Sequence, residues 1–285
     1  MEVREKRAVG LDALGLATKL LHRVREDDPT AGLWEAADLH WWWRTPRASD
    51  LTEQLFWIDE RGPVGGVVLT DWTNNWTCDV VVLPHLRDQA LAGVWRCALD
   101  LIDHLPHVEV LARDDDAPML GLLAEAGFGP TGERGGITWM NACERPPRSA
   151  IPEGFRLVVR AEEHDTPHPM QRRNGYEVEQ RLQETSLYDP ELDLAVIAPN
   201  GDVAAYALFW NDFVTGVGMV EPMRTEDDYQ RLGLGRALLA AGCERLAQRG
   251  AQRLKVGFDS EAGRRLYVGA GFTTTSTDQA YRRKE

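Results

Sequence analysis

Two glycines and two arginines stand together in Gln230-Arg231-Leu232-Gly233-Leu234-Gly235-Arg236. The apolar stretch Val217-Gly218-Met219-Val220 reads as a strand before them. After them, Leu238, Leu239, Cys243 and Leu246 recur at helical spacing along Ala237–Arg249, and Gly250 supplies a stop. A strand, a glycine turn and a helix N-terminus have a definite chemical use. The glycines let backbone N–H groups converge on one point without Cβ obstruction. The helix adds four unpaired donors and a partial positive charge, and together these seat a phosphate or pyrophosphate. The stretch is not the dinucleotide fingerprint, because Leu238 holds the third glycine position, and no Gly-Lys-Ser/Thr follows to make a P-loop. Taken alone, the segment is equally compatible with a structural turn.

The downstream residues narrow the choice. Arg253-Leu254-Lys255-Val256-Gly257-Phe258 alternates like a strand. Asp259 and Ser260 are suited to cap a helix over Glu261–Ala270, which Gly271 ends. Gln230-x-x-Gly233-x-Gly235 together with Leu266-Tyr267-x-x-x-Gly271-Phe272 resembles the GNAT superfamily of acetyl-CoA-dependent N-acetyltransferases, over roughly residues 152–285. The resemblance implies that Gln230, Arg231, Leu232, Gly233, Leu234, Gly235 and Arg236 hold the pyrophosphate of acetyl-CoA. It implies a strand that splays from its neighbour, with Met223 and Thr225 on the pantetheine arm and the acetyl carbonyl. Tyr267 matches the family's general acid, with packing below the loop as its other role. Glu221 stands where a base is expected, and equally suits an amine anchor or an outward-facing position. Ser260 replaces the family's usual Asn near the cofactor. Trp210, Asn211 and Asp212 are candidates for the acceptor cleft.

A chain of 285 residues exceeds one domain of about 100–200 residues, so two domains are expected. The N-terminal half reads as α/β. Helices are expected at Leu11–Arg25, Ala31–Trp43 and Leu86–Leu105, and strands at Gln54–Asp59, Gly65–Asp71, Trp76–Leu83 and His107–Ala112. Asp116 is placed to cap a short helix ending at Gly127-Phe128. The order repeats further on, since Leu122–Phe128 parallels Leu266–Phe272. Aligning Gly127 with Gly271 without gaps sets Gln89 against Gly233, Leu91 against Gly235 and Leu123 against Tyr267. The first copy thus keeps the scaffold and loses both glycines and the tyrosine, and Gln89 and Leu91 are expected to push side chains toward a phosphate. The proline-bearing stretch Glu144–Pro152 is the linker.

In the second half, Phe155–Val159, Glu191–Ile197, Val203–Trp210 and Thr215–Met223 read as strands, with a turn at Pro199-Asn200-Gly201-Asp202. Helical pieces are expected at Pro169–Asn174 and Val178–Glu184. The expected architecture is α/β, in α+β layers: a degenerate GNAT-like domain (1–146), a linker (147–152) and a catalytic GNAT domain (153–285). Each domain is a mixed, mostly antiparallel twisted sheet flanked by helices. The layout resembles tandem-GNAT proteins such as mycothiol synthase.

Cys78, Cys97, Cys143 and Cys243 match no zinc or redox spacing and read as reduced, mostly buried thiols. His164 and His168 are flanked by Pro167 and Pro169, which spoils a helical metal pair, so no metal is expected. A net charge of −13 disfavours nucleic acid and suits a cationic small molecule. Nine of the ten tryptophans precede the linker and suit core and interdomain packing, or a ring-lined pocket. Leu11–Leu21 is too short and polar for a membrane span or a signal peptide, which points to a cytoplasmic protein. The expected activity is acetyl transfer from acetyl-CoA to a primary amine by direct attack in a ternary complex. The acceptor is a small cationic molecule, such as an aminoglycoside-like antibiotic, an amino sugar or a mycothiol precursor. A peptide N-acetyltransferase and a non-catalytic acyl-CoA sensor are the alternatives. Monomer and homodimer remain open.

Overall fold

The computed structural model describes residues 3–283. The chain forms two compact units, one of Met1–Trp42, Pro46–Gly135 and Ser276–Glu285, the other of Trp43–Thr45 and Gly136–Thr275.

The first unit holds β1 (Arg4–Ala8), α1 (Gly10–Asp27), α2 (Ala36–Trp42), β2 (Gln54–Asp59), β3 (Gly62–Asp71) and β4 (Trp76–Val82). It continues with α3 (Arg87–Ile102), β5 (Val108–Arg113), α4 (Ala117–Glu125) and the start of β6 (Phe128–Asn141). Its strands follow the order β1-β2-β3-β4-β5, and the far side of β5 is closed by β12 (Thr273–Arg283), in register from Asp278–Arg113 to Arg282–Glu109. Val67, Leu69, Val110 and Leu123 meet Leu91, Val94 and Trp95 of α3 on one face, while Phe56 and Ile58 meet Ala13, Ala17 and Leu21 of α1 on the other. Asp116 caps α4 by accepting the Met119 N–H at 3.2 Å, as its side chain and position predict.

Two features of this unit depart from the sequence expectation. The edge strand β1 was not anticipated, because Arg4-Glu5-Lys6-Arg7 is exposed and carries charge instead of an apolar alternation, a common device on sheet edges. In addition, α3 begins at Arg87, so Gln89 and Leu91 lie inside the helix. Leu91 is buried in the core and faces no phosphate seat. The helix itself matches the expected Leu86–Leu105 segment, and it is the burial of Leu91 that departs from the expectation.

The second unit holds β7 (Arg156–Val159), α5 (Gln171–Asn174), α6 (Val178–Gln183), β8 (Asp193–Ile197), β9 (Val203–Asp212) and β10 (Val217–Thr225). It ends with α7 (Leu234–Gln248), β11 (Arg253–Phe258) and α8 (Glu261–Gly269). Its strand order is β6-β11-β10-β9-β8-β7, with residues 136–141 of β6 antiparallel to β11. Only the β10–β11 pair is parallel within this set. Leu234, Leu238, Leu239, Cys243 and Leu246 of α7 press on Val196, Ala205, Ala207 and Phe209. Gly242 permits the closest approach, since a Cβ there would fall 2.0 Å from Cζ of Phe209.

On the opposite face, His168 and Asp193 are both buried. His168 Nδ1 accepts the Met170 N–H, which leaves Nε2–H to donate to Asp193 Oδ2 at 2.8 Å, and the Tyr188 hydroxyl donates to the same oxygen at 2.9 Å. This ties the long connection between β7 and β8 onto the sheet. The tryptophan run divides between the units. Trp42 packs edge-on against Trp34 and Trp72 in the first, whereas Trp43 lies in the second under the Arg181 guanidinium at 3.6 Å. All four cysteines are free; Cys78 and Cys243 are buried and Cys143 is exposed. Among the described residues no group of three or more His, Cys, Asp or Glu is arranged to hold a metal ion, and no helix is long and apolar enough to cross a membrane.

Candidate active site

The site begins with a change of partners along β10. From Val217 to Val220 the strand is held on both sides, antiparallel to β9 and parallel to β11 (Val217–Arg253 through Val220–Val256). At Glu221-Pro222 the register against β9 slips, then resumes at Met223–Ala207 and runs to Thr225–Ala205. The ladder with β11 ends at Val220. Proline has no N–H to give to a ladder, so it belongs at a bulge, and a bulge bends and twists its strand. The indole N–H of the fully buried Trp210 fastens the bulge by donating to the Glu221 carbonyl at 2.6 Å. The outcome is a divergence between β10 and β11, with Met223 and Thr225 on the side that has left its parallel neighbour.

Past β10, a 3-10 turn over Asp227–Tyr229 leads into the glycine loop. Gln230 donates from Nε2 to Asp227 Oδ1 at 3.1 Å, which fixes the start of the loop. Arg231 and Gly233 both have left-handed backbones, with φ of 61° and 82°. Such a conformation costs a non-glycine residue roughly 1–2 kcal/mol. Left-handed residues between right-handed ones turn successive N–H groups toward one side, which makes an anion-binding concavity. Helix α7 starts immediately after, at Leu234, and no side chain caps it. Its first donors therefore remain available to an anion. Leu234 is 1% exposed and anchors the turn in the core, whereas Arg231, Leu232 and Arg236 are exposed. A Cβ on Gly235 would meet Thr225 Oγ1 at 3.2 Å, Leu266 Cδ2 at 3.6 Å and Met223 Cε at 3.7 Å. The helix N-terminus is thus pressed onto the diverged residues of β10, closely enough that even a Cβ would crowd Thr225. These residues fit the phosphate and pantetheine parts of a CoA ester: a concave backbone, an uncapped helix end and a strand edge at one place.

Tyr267 enters from α8. Ser260 caps that helix by accepting the Gly263 N–H at 3.2 Å, so its hydroxyl already has a structural partner. Tyr267 is 7% exposed, with its ring edge-on to Phe272 at 6.3 Å. Among the described residues its hydroxyl has no hydrogen-bond partner. Burial raises its pKa well above the ordinary phenol value, and the negative charges of Glu221 and Asp259 raise it further. The phenol is consequently a protonated donor, with Glu221 close enough to act on it electrostatically. Both roles foreseen for Tyr267, acid and packing, are compatible with this placement.

The structure does not bring every candidate to this place. Because β9 runs antiparallel to β10, Asn211 and Asp212 pair with Gly218 and Val217, at the end of β10 away from the divergence. Asp212 Oδ1 accepts the Val214 and Thr215 N–H groups, and Asn211 donates to the Arg249 carbonyl at the end of α7. Trp210 is enclosed and braces the bulge. In the structure these three residues make contacts within the sheet and its turns, and Asn211 and Asp212 lie away from the divergence. Conversely, sequence reasoning missed Leu266, which closes over Gly235, and Asp259, which acts on Tyr267. The Leu266-Tyr267 pair was visible as a motif, but its contact with Gly235 is long-range and no local signal announces it.

Comparison with known proteins agrees with the geometry. Residues 156–272 match the acetyltransferase (GNAT) family. The mycothiol acetyltransferase of Kocuria rhizophila is 29% identical over 250 residues, covering 77% of this chain and 80% of that protein. The mycothiol acetyltransferase of Paenarthrobacter aurescens is 25% identical over 236 residues, covering 75% and 72%. In fold, a tandem GNAT protein from the clavulanic acid biosynthesis pathway superposes with a TM-score of 0.70 at 13% identity, covering 100% of this chain and 99% of that one. Residues 156–272 thus form an acetyltransferase domain of the GNAT family, in a chain similar over about three quarters of its length to the mycothiol acetyltransferases.

Proposed function

We propose that the second unit transfers acetyl from acetyl-CoA to a primary amine of a small molecule, by direct attack in a ternary complex. The observation that carries this reading is the meeting, at Gly235, of a left-handed loop, an uncapped helix end and the diverged edge of β10, with Tyr267 entering from α8. In this reading the N–H groups of residues 230–236 receive the pyrophosphate. Backbone groups at Met223 and Thr225 receive the pantetheine amides, and they polarise the thioester carbonyl where negative charge develops. Glu221 takes a proton from the incoming ammonium, directly or through water, because only the neutral amine attacks. Tyr267 returns a proton to the departing thiolate.

The names of the mycothiol acetyltransferases favour an acceptor of the mycothiol-precursor kind, an amine on a polar small molecule. A cytoplasmic setting accords with a CoA thioester as donor. The test is release of free CoA from acetyl-CoA against a panel of amino sugars, aminoglycosides, cysteinyl amines and short peptides. Turnover with one small amine supports the proposal. Turnover with peptides alone would replace it with a protein-modifying activity. Tight acetyl-CoA binding with no acceptor would replace it with a sensor.

A further inference from the structure

The first unit repeats the strand divergence but not the phosphate seat. Parallel pairing of β4 with β5 is confined to Trp76–Val108 and Thr77–Glu109. Beyond it, Val80–Val82 and Val110–Ala112 line a cavity of about 400 Å³, within the range of roughly 300–1,000 Å³ usual for small-molecule sites. The loop at its mouth does not suit a CoA ester. Pro84 lacks an N–H, and Leu86 and Arg87 are right-handed, with φ of −100° and −59°. No residue there takes the left-handed turn seen at Arg231 and Gly233.

Asp79 sits where the strands part. The Trp34 indole N–H donates to its Oδ1 at 2.9 Å. Asp79 is 5% exposed, and its Oδ2 is buried and makes no hydrogen bond of normal length among the described residues, although the Thr77 hydroxyl stands near enough to favour the ionised carboxyl. A buried acceptor left unmet is costly, on the order of 1–3 kcal/mol, and calls for a reason. The positive groups of the lining are already engaged. Arg87 pairs with Asp116, and Arg113 with Asp115 at 2.7 Å. Asp28 accepts the Thr30 and Ala31 N–H groups. The lining therefore carries more carboxylates than cations, with Asp79 and several valines, Val24, Val80, Val82 and Val110, among its residues.

We propose that this cavity binds a small organic ammonium ion, its nitrogen hydrogen-bonded to Asp79 Oδ2 and its carbon skeleton held between the diverged strands. The indole of Trp34, which also lines the cavity, stands beside the charge. Burial pushes the Asp79 carboxyl up to about 7, and a bound cation would draw it back into the ionised form. This site is separate from the acetyl-transfer site and does not depend on that assignment.

The test uses the full chain, with cyclohexylammonium as probe and cyclohexanol as its neutral counterpart. The readout is the NMR resonance of the Trp34 indole N–H, assigned with a Trp34→Phe variant. The expected result is a saturable shift with the ammonium and none with the alcohol, unchanged by saturating acetyl-CoA. In Asp79→Asn, which keeps an acceptor for Trp34 and the side-chain volume, affinity falls at least tenfold. Equal shifts with the alcohol, equal affinity in Asp79→Asn, competition by acetyl-CoA, or no shift at all would each overturn the proposal. The ammonium–alcohol comparison in the unaltered chain decides the matter even if the variant does not fold.

Discussion

Replacing Tyr267 by Phe removes one oxygen from a side chain that is 7% exposed and whose hydroxyl bonds no described residue. The ring remains edge-on to Phe272, and no partner is left unsatisfied. Stability should therefore stay within about 0.5 kcal/mol of the parent. Activity should not. A positioned general acid contributes typically 10²–10⁴-fold, about 3–5 kcal/mol of barrier. At neutral pH kcat should fall by that factor while acetyl-CoA affinity is unchanged. The raised phenol pKa sets the pH dependence: the acid form persists as pH rises past the ordinary value of about 10, so ionisation of Tyr267 produces no fall in rate below it. A departing alkyl thiolate needs its proton least above a thiol pKa of roughly 8.5. The ratio of parent to variant rates should accordingly narrow as pH rises through that region. Steady-state rates of CoA release from pH 6 to pH 10 provide the assay, with a thermal melt beside them. A kcat within threefold of the parent, or a loss explained by a lower melting temperature, would refute the acid role and leave Tyr267 as packing.

The loop, the core and the buried acid make further predictions. Gly235→Glu places a carboxylate at the uncapped start of α7, against Thr225 and Leu266. Acetyl-CoA binding, read by calorimetry, should drop at least a hundredfold; the roughly 0.3–1 kcal/mol that a carboxylate contributes at a helix start is opposed by the crowding against Thr225. Gly242→Ala drives a Cβ into the Phe209 ring and should destabilise the fold by about 1–3 kcal/mol in urea titration, with acetyl-CoA affinity per folded molecule retained. Burial pushes the Asp79 carboxyl up to about 7 from its ordinary value of 3.8, so the folded state binds the extra proton between these values. Stability must then decline as pH rises through that window, by up to about 4 kcal/mol, and Asp79→Asn should flatten the decline in melts at pH 4 to 8.

The second unit was the more legible because its chemistry is local. Gly233, Gly235, Ser260 and the Leu266-Tyr267 pair act through turns and caps within a few residues, and such signals survive in a single sequence. Strands without an apolar alternation were hidden. Charged Arg4–Ala8, Gly- and Pro-broken Phe128–Asn141 and Thr-rich Thr273–Arg283 are strands only because of what they pair with. The same limit affected the units. A boundary at the linker follows the duplication, whereas residues 136–141 pair with β11 and residues 278–282 with β5, long-range pairings that no spacing announces. Asn211 and Asp212 were candidates for the acceptor cleft. Strand direction, which composition does not encode, sends them to the other end of β10. Asp79 appeared as one more strand residue, and only its burial marks it.

The most direct test of the account follows carbon-13-labelled acetyl from acetyl-CoA to an acceptor nitrogen by NMR, in the parent and in Gly235→Glu. A labelled acetamide should form in the parent, in step with free CoA, and be absent in the loop variant. Label appearing only as acetate, or an acetamide formed equally well by Gly235→Glu, would contradict it.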